Sequence, residues 1–383
     1  MRLTQHSFPA LKTESPVWVE IHRENLLKNL GIAKRLAGLE TGIIAVVKAN
    51  AYGHGLEIVA STLAPHVHMF AVTRVQEALR LREYGIDTPV LILGPLSSAE
   101  LKTAIQTRSL ITISSLREAY YLNAEAERLN RSVFAHIKVD TGMGRLGIPA
   151  GTAFAEITKI AKLSRINVKG LYTHFPSADD SESLFTQKQI RNFKQLVTFL
   201  RKNGLEFEAT HLSNSSAIVS SQNAGGSWVR PGIMLYGVLP GSLAHKSTEL
   251  GLEPVLSWRA KIVLVKELQK GETCGYARAF KAARKTRIAW LPVGYSHGYP
   301  FSLSSSAQVL IKGKRHSIAG RVSMDFLGID IGARSDIHAG DIATLIGKDG
   351  DEITVSEISR QAKTIPYEIM TGIHPSVPRL VFP

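Results

Sequence analysis

A lysine at position 48 closes an apolar run, and Ala-Asn-Ala-Tyr-Gly-His-Gly follows it. Most lysines at strand ends simply reach solvent. Here the next residues place a phenol, Tyr52, four positions on, and glycines where the chain has to turn tightly. A partly desolvated lysine amine is neutral enough to condense with an aldehyde. The stretch VDTGMGRLG (139–147) adds an acid, glycine hinges and Arg145. HLSNSSA (211–217) and RPGIMLYG (230–237) offer the hydroxyls and backbone N–H groups that commonly cradle a phosphate. Each motif also has a plain structural reading: Arg145 on the surface, the serines as loop composition, His174 as a satisfied core imidazole.

The elements that must position these groups can be read from periodicity. Eight apolar runs begin at IIAVVK (43–48), MFAVT (69–73), PVLILG (89–94), ITISS (111–115), VFAHIKVD (133–140), VKGLYTHF (168–175), ATHLSNS (209–215) and WVRPGIMLYG (228–237). Amphipathic stretches with i, i+3, i+4 spacing separate most of them. This alternation predicts a (β/α)8 barrel of the TIM type. An open doubly wound sheet is the alternative, but no glycine-rich dinucleotide fingerprint follows the first run. Barrel chemistry gathers at the C-terminal strand ends, which here carry Lys48, Arg74, Lys138 with Asp140 and Arg145, His174, Asn214 with Ser215, and Arg230. Such a ring suits an anionic ligand. The texture changes after about Leu239. GSLAHKSTELGLEP reads as a linker, and short β-type runs follow, including VLSWRAKIVLVKEL and ITVSEIS, as in a mostly antiparallel β domain. The expected division is an N-terminal segment over 1–22, whose VWVEIH strand joins the β domain, the barrel over 23–240, and the β domain over 241–383.

The 383 residues carry 46 Lys plus Arg against 32 Asp plus Glu, a formal charge of +14. The basic residues are scattered and lack interleaved aromatics, which argues against nucleic acid as a partner. No metal-ligand spacing is present. No apolar run approaches the ~18 residues of a membrane span. The start MRLTQHSFPALK lacks the apolar core of a secretory signal. The one cysteine, Cys274, suits a reducing cytosol, so a cytoplasmic location is expected.

The ordered set AVVKANAYGHG, DTGMGRLG, LYTHF, NSSA, RPGIMLYG, GYAR, GYSHGYP and RVSMD closely resembles the alanine racemases, from about Val17 to Phe382. Enzymes of that family use pyridoxal 5'-phosphate on an eight-stranded barrel with a C-terminal β domain. The resemblance implies that Lys48 holds the cofactor and serves as one acid/base, with Tyr276 as the second base, supplied by the partner subunit of a homodimer. It implies a phosphate site of Tyr52, Ser215, Gly232, Ile233 and Tyr367, with His174 and Asn214 also beside the cofactor. Arg230 would face the pyridine nitrogen, where a cation discourages ring protonation and weakens the electron sink. Arg145 and the backbone near Met324 would hold the substrate carboxylate, and Lys138 matches a position often carbamylated. Asp179, His211, Tyr295, Arg321 and Asp325 match supporting or corridor residues. A free phenol titrates near ~10, so Tyr276 needs cationic neighbours to act at neutral pH.

The implied reaction is the interconversion of L- and D-alanine, supplying D-alanine for peptidoglycan. The sequence departs from the family pattern at His297, where an acidic residue is usual, and near Phe301, where a basic one is expected. Those changes keep open a racemase of broader specificity, acting on serine for example. A non-catalytic carrier of the cofactor is a further alternative, though a carrier needs neither a β domain nor a second base.

Overall fold

The computed structural model describes residues 14–180, 182–220 and 225–382. Residues 1–13 of the expected N-terminal segment therefore lie outside the described residues. Eight parallel strands, Gly42–Val46, Met69–Val72, Val90–Ile92, Leu110–Ile113, Val133–Asp140, Ile166–Tyr172, Ala209–Asn214 and Trp228–Arg230, pair in sequence order. The eighth returns to the first through Trp228 opposite Gly42 and Val229 opposite Ile43, which closes the barrel. Every residue of the first four strands is buried. That accounts for their continuous apolar runs, since barrel strands are covered on both faces. The outer helices show the complementary stripe. In Leu116–Arg128, Ala119, Leu122 and Ala126 are buried, and the Ser115 hydroxyl caps the helix by accepting from Glu118 N–H at 3.2 Å.

The second unit is a ten-stranded sheet in the order Leu264–Leu268, Thr286–Leu291, Leu327–Gly332, Lys314–Ile318, Gln308–Ile311, Ile342–Asp349, Leu256–Lys261, Val17–His22 and Arg379–Phe382, with Asp351–Ile353 branching from Ile342–Asp349. Its neighbours are antiparallel except Val17–His22 beside Arg379–Phe382. The strand that precedes the barrel is thus clamped between two strands of the far unit. The run ITVSEIS corrects the expectation of strand alone. Only its first residue belongs to a strand, and Thr354 then caps a helix, Val355–Gln361, by accepting from Glu357 N–H at 3.0 Å. The expected linker is likewise partly helical, with short turns at Gly241–Leu243 and Lys246–Glu249.

One apolar core runs through both units. Asn29 joins them with polar bonds, donating to the carbonyls of Leu235 (3.1 Å) and Glu253 (2.8 Å). No helix among the described residues is long and apolar enough to cross a membrane.

Candidate active site

The C-terminal strand ends open on a cavity of about 500 Å³, lined by Lys48, Tyr52, Lys138, Arg145, His174, Asn214, Ser215, Arg230, Gly232, Ile233 and Tyr367 among others. Lys48 leaves the first barrel strand into an unusual turn. Ala49, Asn50, Ala51 and Tyr52 all have left-handed φ values, between 52° and 54°. For residues with a Cβ that conformation costs roughly 1–2 kcal/mol each, so something must hold it. Glu77 does so. Its carboxylate accepts from Ala49 N–H (2.5 Å), Thr73 N–H (2.9 Å) and Arg74 N–H (3.1 Å), tying the lysine turn to the end of the second strand. Asn50 Oδ1 accepts from Leu56 N–H at 2.8 Å, and Arg379 donates to the Gly53 carbonyl at 3.0 Å. Glu77→Ala strips three backbone donors of their acceptor. It is expected to lower the unfolding free energy by about 1–3 kcal/mol, measured by urea denaturation, and to reduce activity as the turn relaxes.

The electrostatics are those of a crowded cationic mouth. Burial lowers the Lys48 amine from its ordinary range, and Arg145 lowers it further, against an opposing pull from Glu77. Lys138 is brought down to about 8 by burial, with Arg145 and Arg230 adding to it. His174 is held neutral, well below its usual value, by burial and then by Arg230. Arg230 is fixed by acceptors on three sides. It donates to the carbonyls of Thr173 (2.8 Å), His211 (2.8 Å) and Leu212 (3.0 Å), and to His211 Nδ1 at 2.7 Å.

In the wall of the same cavity, Ser215 Oγ accepts from the N–H groups of Gly232 (2.9 Å) and Met234 (3.3 Å). Asn214 Oδ1 caps the short helix after it, accepting from Ala217 N–H at 3.0 Å. The Tyr52 ring lies against Tyr236 (4.9 Å) and Tyr367 (6.0 Å). A Cβ on Gly232 would stand 2.7 Å from the Tyr52 hydroxyl, so that glycine keeps the wall open for close approach to backbone N–H groups. Arg145 rides on a loop organised by Asp140, whose carboxylate accepts from Gly142 (2.9 Å), Met143 (2.8 Å) and Gly144 (3.0 Å) N–H.

Several expected site residues lie elsewhere. His211 is fully buried behind Arg230 and lines no corridor, because its ring is spent on hydrogen bonds to the guanidinium and to His136. Arg74 stays exposed outside the cavity. Asp179 stands beside Tyr367, its carbonyl accepting from Ser242 Oγ at 2.6 Å. Tyr276 is 72 % exposed on the β domain. There it shares a shallow apolar hollow with Arg321, Val263, Leu264, Trp290 and Phe326. Met324, Tyr295 and Asp325 gather on the same domain, where Ser296 Oγ lies 2.8 Å from both the Met324 carbonyl and Asp325 Oδ1, with one proton to give to either. His297 is tied to its own turn by Gly294 N–H at 3.3 Å, and Phe301 packs edge-on against Tyr295. Sequence reasoning missed Glu77, Tyr236 and His136. Glu77 had a legible signal, since an acid at the third helical position commonly bonds back to the chain before the helix. The other two are buried residues that only the fold brings to the site.

A closed parallel barrel with a desolvated lysine amine, fixed guanidinium groups and a hydroxyl and N–H cradle at its mouth defines a barrel enzyme that holds an anionic ligand against a reactive amine. The alanine racemase N-terminal domain family matches residues 21–240, and the alanine racemase C-terminal domain family matches residues 255–381. An alanine racemase of Halothermothrix orenii is 39% identical over 366 residues, covering 95% of this chain and 96% of that relative. One of Carboxydothermus hydrogenoformans is 39% identical over 372 residues, covering 95% and 99%. The solved alanine racemase of Clostridium difficile 630 superposes with a TM-score of 0.92 at 34% identity, covering 97% of each chain. The chain belongs to the alanine racemase family and is an enzyme of that family.

Proposed function

We propose that this enzyme interconverts L- and D-alanine with pyridoxal 5'-phosphate, using Lys48 and Tyr276 as bases on opposite faces of the substrate α-carbon. The residues present fit the cofactor. The hydroxyl of Ser215 and the N–H groups near Gly232 and Ile233 suit its phosphate, the bare Gly232 leaves room for it, and the desolvated Lys48 amine suits its aldehyde. When bound, the cofactor supplies an electron sink that acidifies the amino-acid α-proton. Arg230 stands as a fixed cation among the cavity walls, which supports its place beside the pyridine nitrogen. Arg145, on its Asp140-organised loop, orients the substrate carboxylate. Lys48 Nζ takes or returns the α-proton on one face, and Tyr276 Oη does so on the other.

The observation that carries this reading is the convergence of Lys48, Arg145, Arg230 and the Ser215 cradle on one cavity. It is supported by a relative solved with cycloserine, the Clostridium difficile enzyme, and by one from Bacillus anthracis solved with bound L-Ala-P. Tyr276 is absent from the lining of this cavity and exposed among apolar neighbours, which supports a homodimer in which each site borrows the partner's phenol. A cytoplasmic enzyme supplying D-alanine for peptidoglycan completes the reading, with the barrel taken over 23–240 and the β domain over 241–383. Lys138 is read as the carrier of a carbamate that orients Arg145, a reading supported by the lowering of its amine to about 8 by burial and the neighbouring arginines. Intact-mass measurement after equilibration with carbon dioxide checks that.

The test is turnover of L-alanine with stereochemical readout, run beside L-serine. Product from alanine well in excess of that from serine is expected, and no product from either ends the proposal. Gly232→Ala is expected to weaken pyridoxal phosphate binding by about tenfold or more, read by fluorescence titration of the apoenzyme, because its methyl group would meet the Tyr52 hydroxyl.

A further inference from the structure

Behind Arg230 the barrel interior holds a relay of two imidazoles. His136 stands on the fifth barrel strand and His211 on the seventh, and both are buried. His136 Nδ1 lies 2.8 Å from His211 Nε2, and His211 Nδ1 lies 2.7 Å from the Arg230 guanidinium. The intervening sixth strand contributes Gly170, registered directly beside His136. A Cβ at Gly170 would sit 2.7 Å from Nδ1 and Cε1 of the His136 ring. The missing side chain is what lets one imidazole cross a strand to reach the other. Gly170 has no positive φ, so the demand here is for space rather than for backbone freedom.

The proton positions follow from donor and acceptor counting. A guanidinium only donates, so His211 Nδ1 must present its lone pair to Arg230. A neutral His211 then carries its proton on Nε2 and donates to His136, whose Nδ1 must in turn accept. Burial and the nearby Arg230 charge hold both rings neutral. Tyr172 stacks flat on His211, centroids 4.6 Å apart at 9°, so the ring is held in place as well as oriented.

We propose that His136 is a positioning residue for Arg230: by accepting from His211 Nε2–H it locks His211 in the one tautomer that can receive the guanidinium, and so keeps that cation aimed at the cofactor ring. Without this acceptor, His211 can move its proton to Nδ1 and turn a donor toward Arg230. The guanidinium then loses one fixed partner and samples other positions. This inference rests on the proposed place of Arg230 beside the pyridine nitrogen, but the tautomer lock is a property of the chain and does not depend on that placement.

The first experiment is nitrogen-15 NMR of histidine-labelled apoenzyme. It is expected to show His136 and His211 as single neutral tautomers protonated at Nε2, and His136→Leu is expected to give His211 mixed or Nδ1-protonated signals. In the holoenzyme, His136→Leu is expected to lower kcat for alanine about tenfold, the scale of one hydrogen bond to a charged group, with a smaller change in KM. It should also raise the fraction of turnovers lost to transamination of the cofactor. His136→Gln, whose carbonyl oxygen can accept, should recover most of that loss. Gly170→Ala leaves the histidine in place but displaces its ring, and should reproduce the His136→Leu signature if that variant folds poorly. An unchanged His211 tautomer in both His136→Leu and Gly170→Ala overturns the proposal. An altered tautomer with parental kcat and no added transamination overturns its link to Arg230. If the tautomers behave as stated while Lys48→Ala still racemises alanine, the functional reading fails and the lock stands.

Discussion

Lys48→Ala is expected to abolish racemisation in both directions, by at least about 10³-fold, the scale of a positioned acid/base that also anchors the reacting group. The expectation follows from what surrounds the amine. Burial and Arg145 lower its amine from the ordinary lysine range at the cavity, and Glu77 spends its carboxylate holding the left-handed turn that aims it. The other lysine of the cavity, Lys138, stands over the Tyr172 ring, its Nζ 5.8 Å from the centroid, on the fifth strand. It is not expected to substitute. Chiral chromatography of the product, with cofactor content measured in parallel, separates loss of chemistry from loss of binding. Added small primary amines should restore a fraction of the rate, since they can replace a missing base. A variant that racemises at near-parental rate would remove Lys48 from the mechanism.

With Lys48 serving the D-alanine face and Tyr276 the L-alanine face, as the family resemblance implies, Tyr276→Phe is expected to slow L-to-D conversion by about 10²–10⁴-fold while solvent-deuterium exchange at the α-carbon of D-alanine persists. The exposure of this phenol adds a sharper test. Mixing inactive Lys48→Ala and Tyr276→Phe proteins under conditions that exchange subunits should restore activity if each site takes its phenol from the other chain. One site of each mixed dimer then carries neither substitution, so about a quarter of all sites recover under random exchange. If both bases came from one chain, every site would stay defective and mixing would restore nothing. The apolar hollow of Val263, Leu264, Trp290 and Phe326 around Tyr276 is the surface such a pairing would cover. Gel filtration and the mixing experiment together decide the point.

The barrel was legible because its physics is local. A strand covered on both faces must be apolar throughout, and the helix between two such strands must carry an apolar stripe, so eight runs in the chain become eight strands with matching positions. Lys48, Lys138 and Arg230 were legible for the same reason. They end or follow strands, and strand ends in a closed parallel barrel share one mouth. ITVSEIS was misread because a capping threonine and a short run of alternating apolar residues fit either a strand or the first turn of a helix.

His211 shows where periodicity stops being informative. The family resemblance placed it among the corridor residues, yet its ring is buried in the barrel and serves Arg230. His136 gave no signal, because its partner lies 75 residues away and the glycine that admits it lies between them in space and in chain.

Residue order along the chain therefore settled the strands and helices of the barrel and the chemical groups gathered at one end of it, since each depends on neighbours a few positions apart. Tertiary pairing decided the rest. Only when strands five, six, seven and eight lie side by side does a glycine admit an imidazole and do two imidazoles align a guanidinium, and only the packing of the β domain leaves its phenol facing outward. Those relations are distances between remote positions, and a hydrogen bond or a steric gap exists only once the fold has set them.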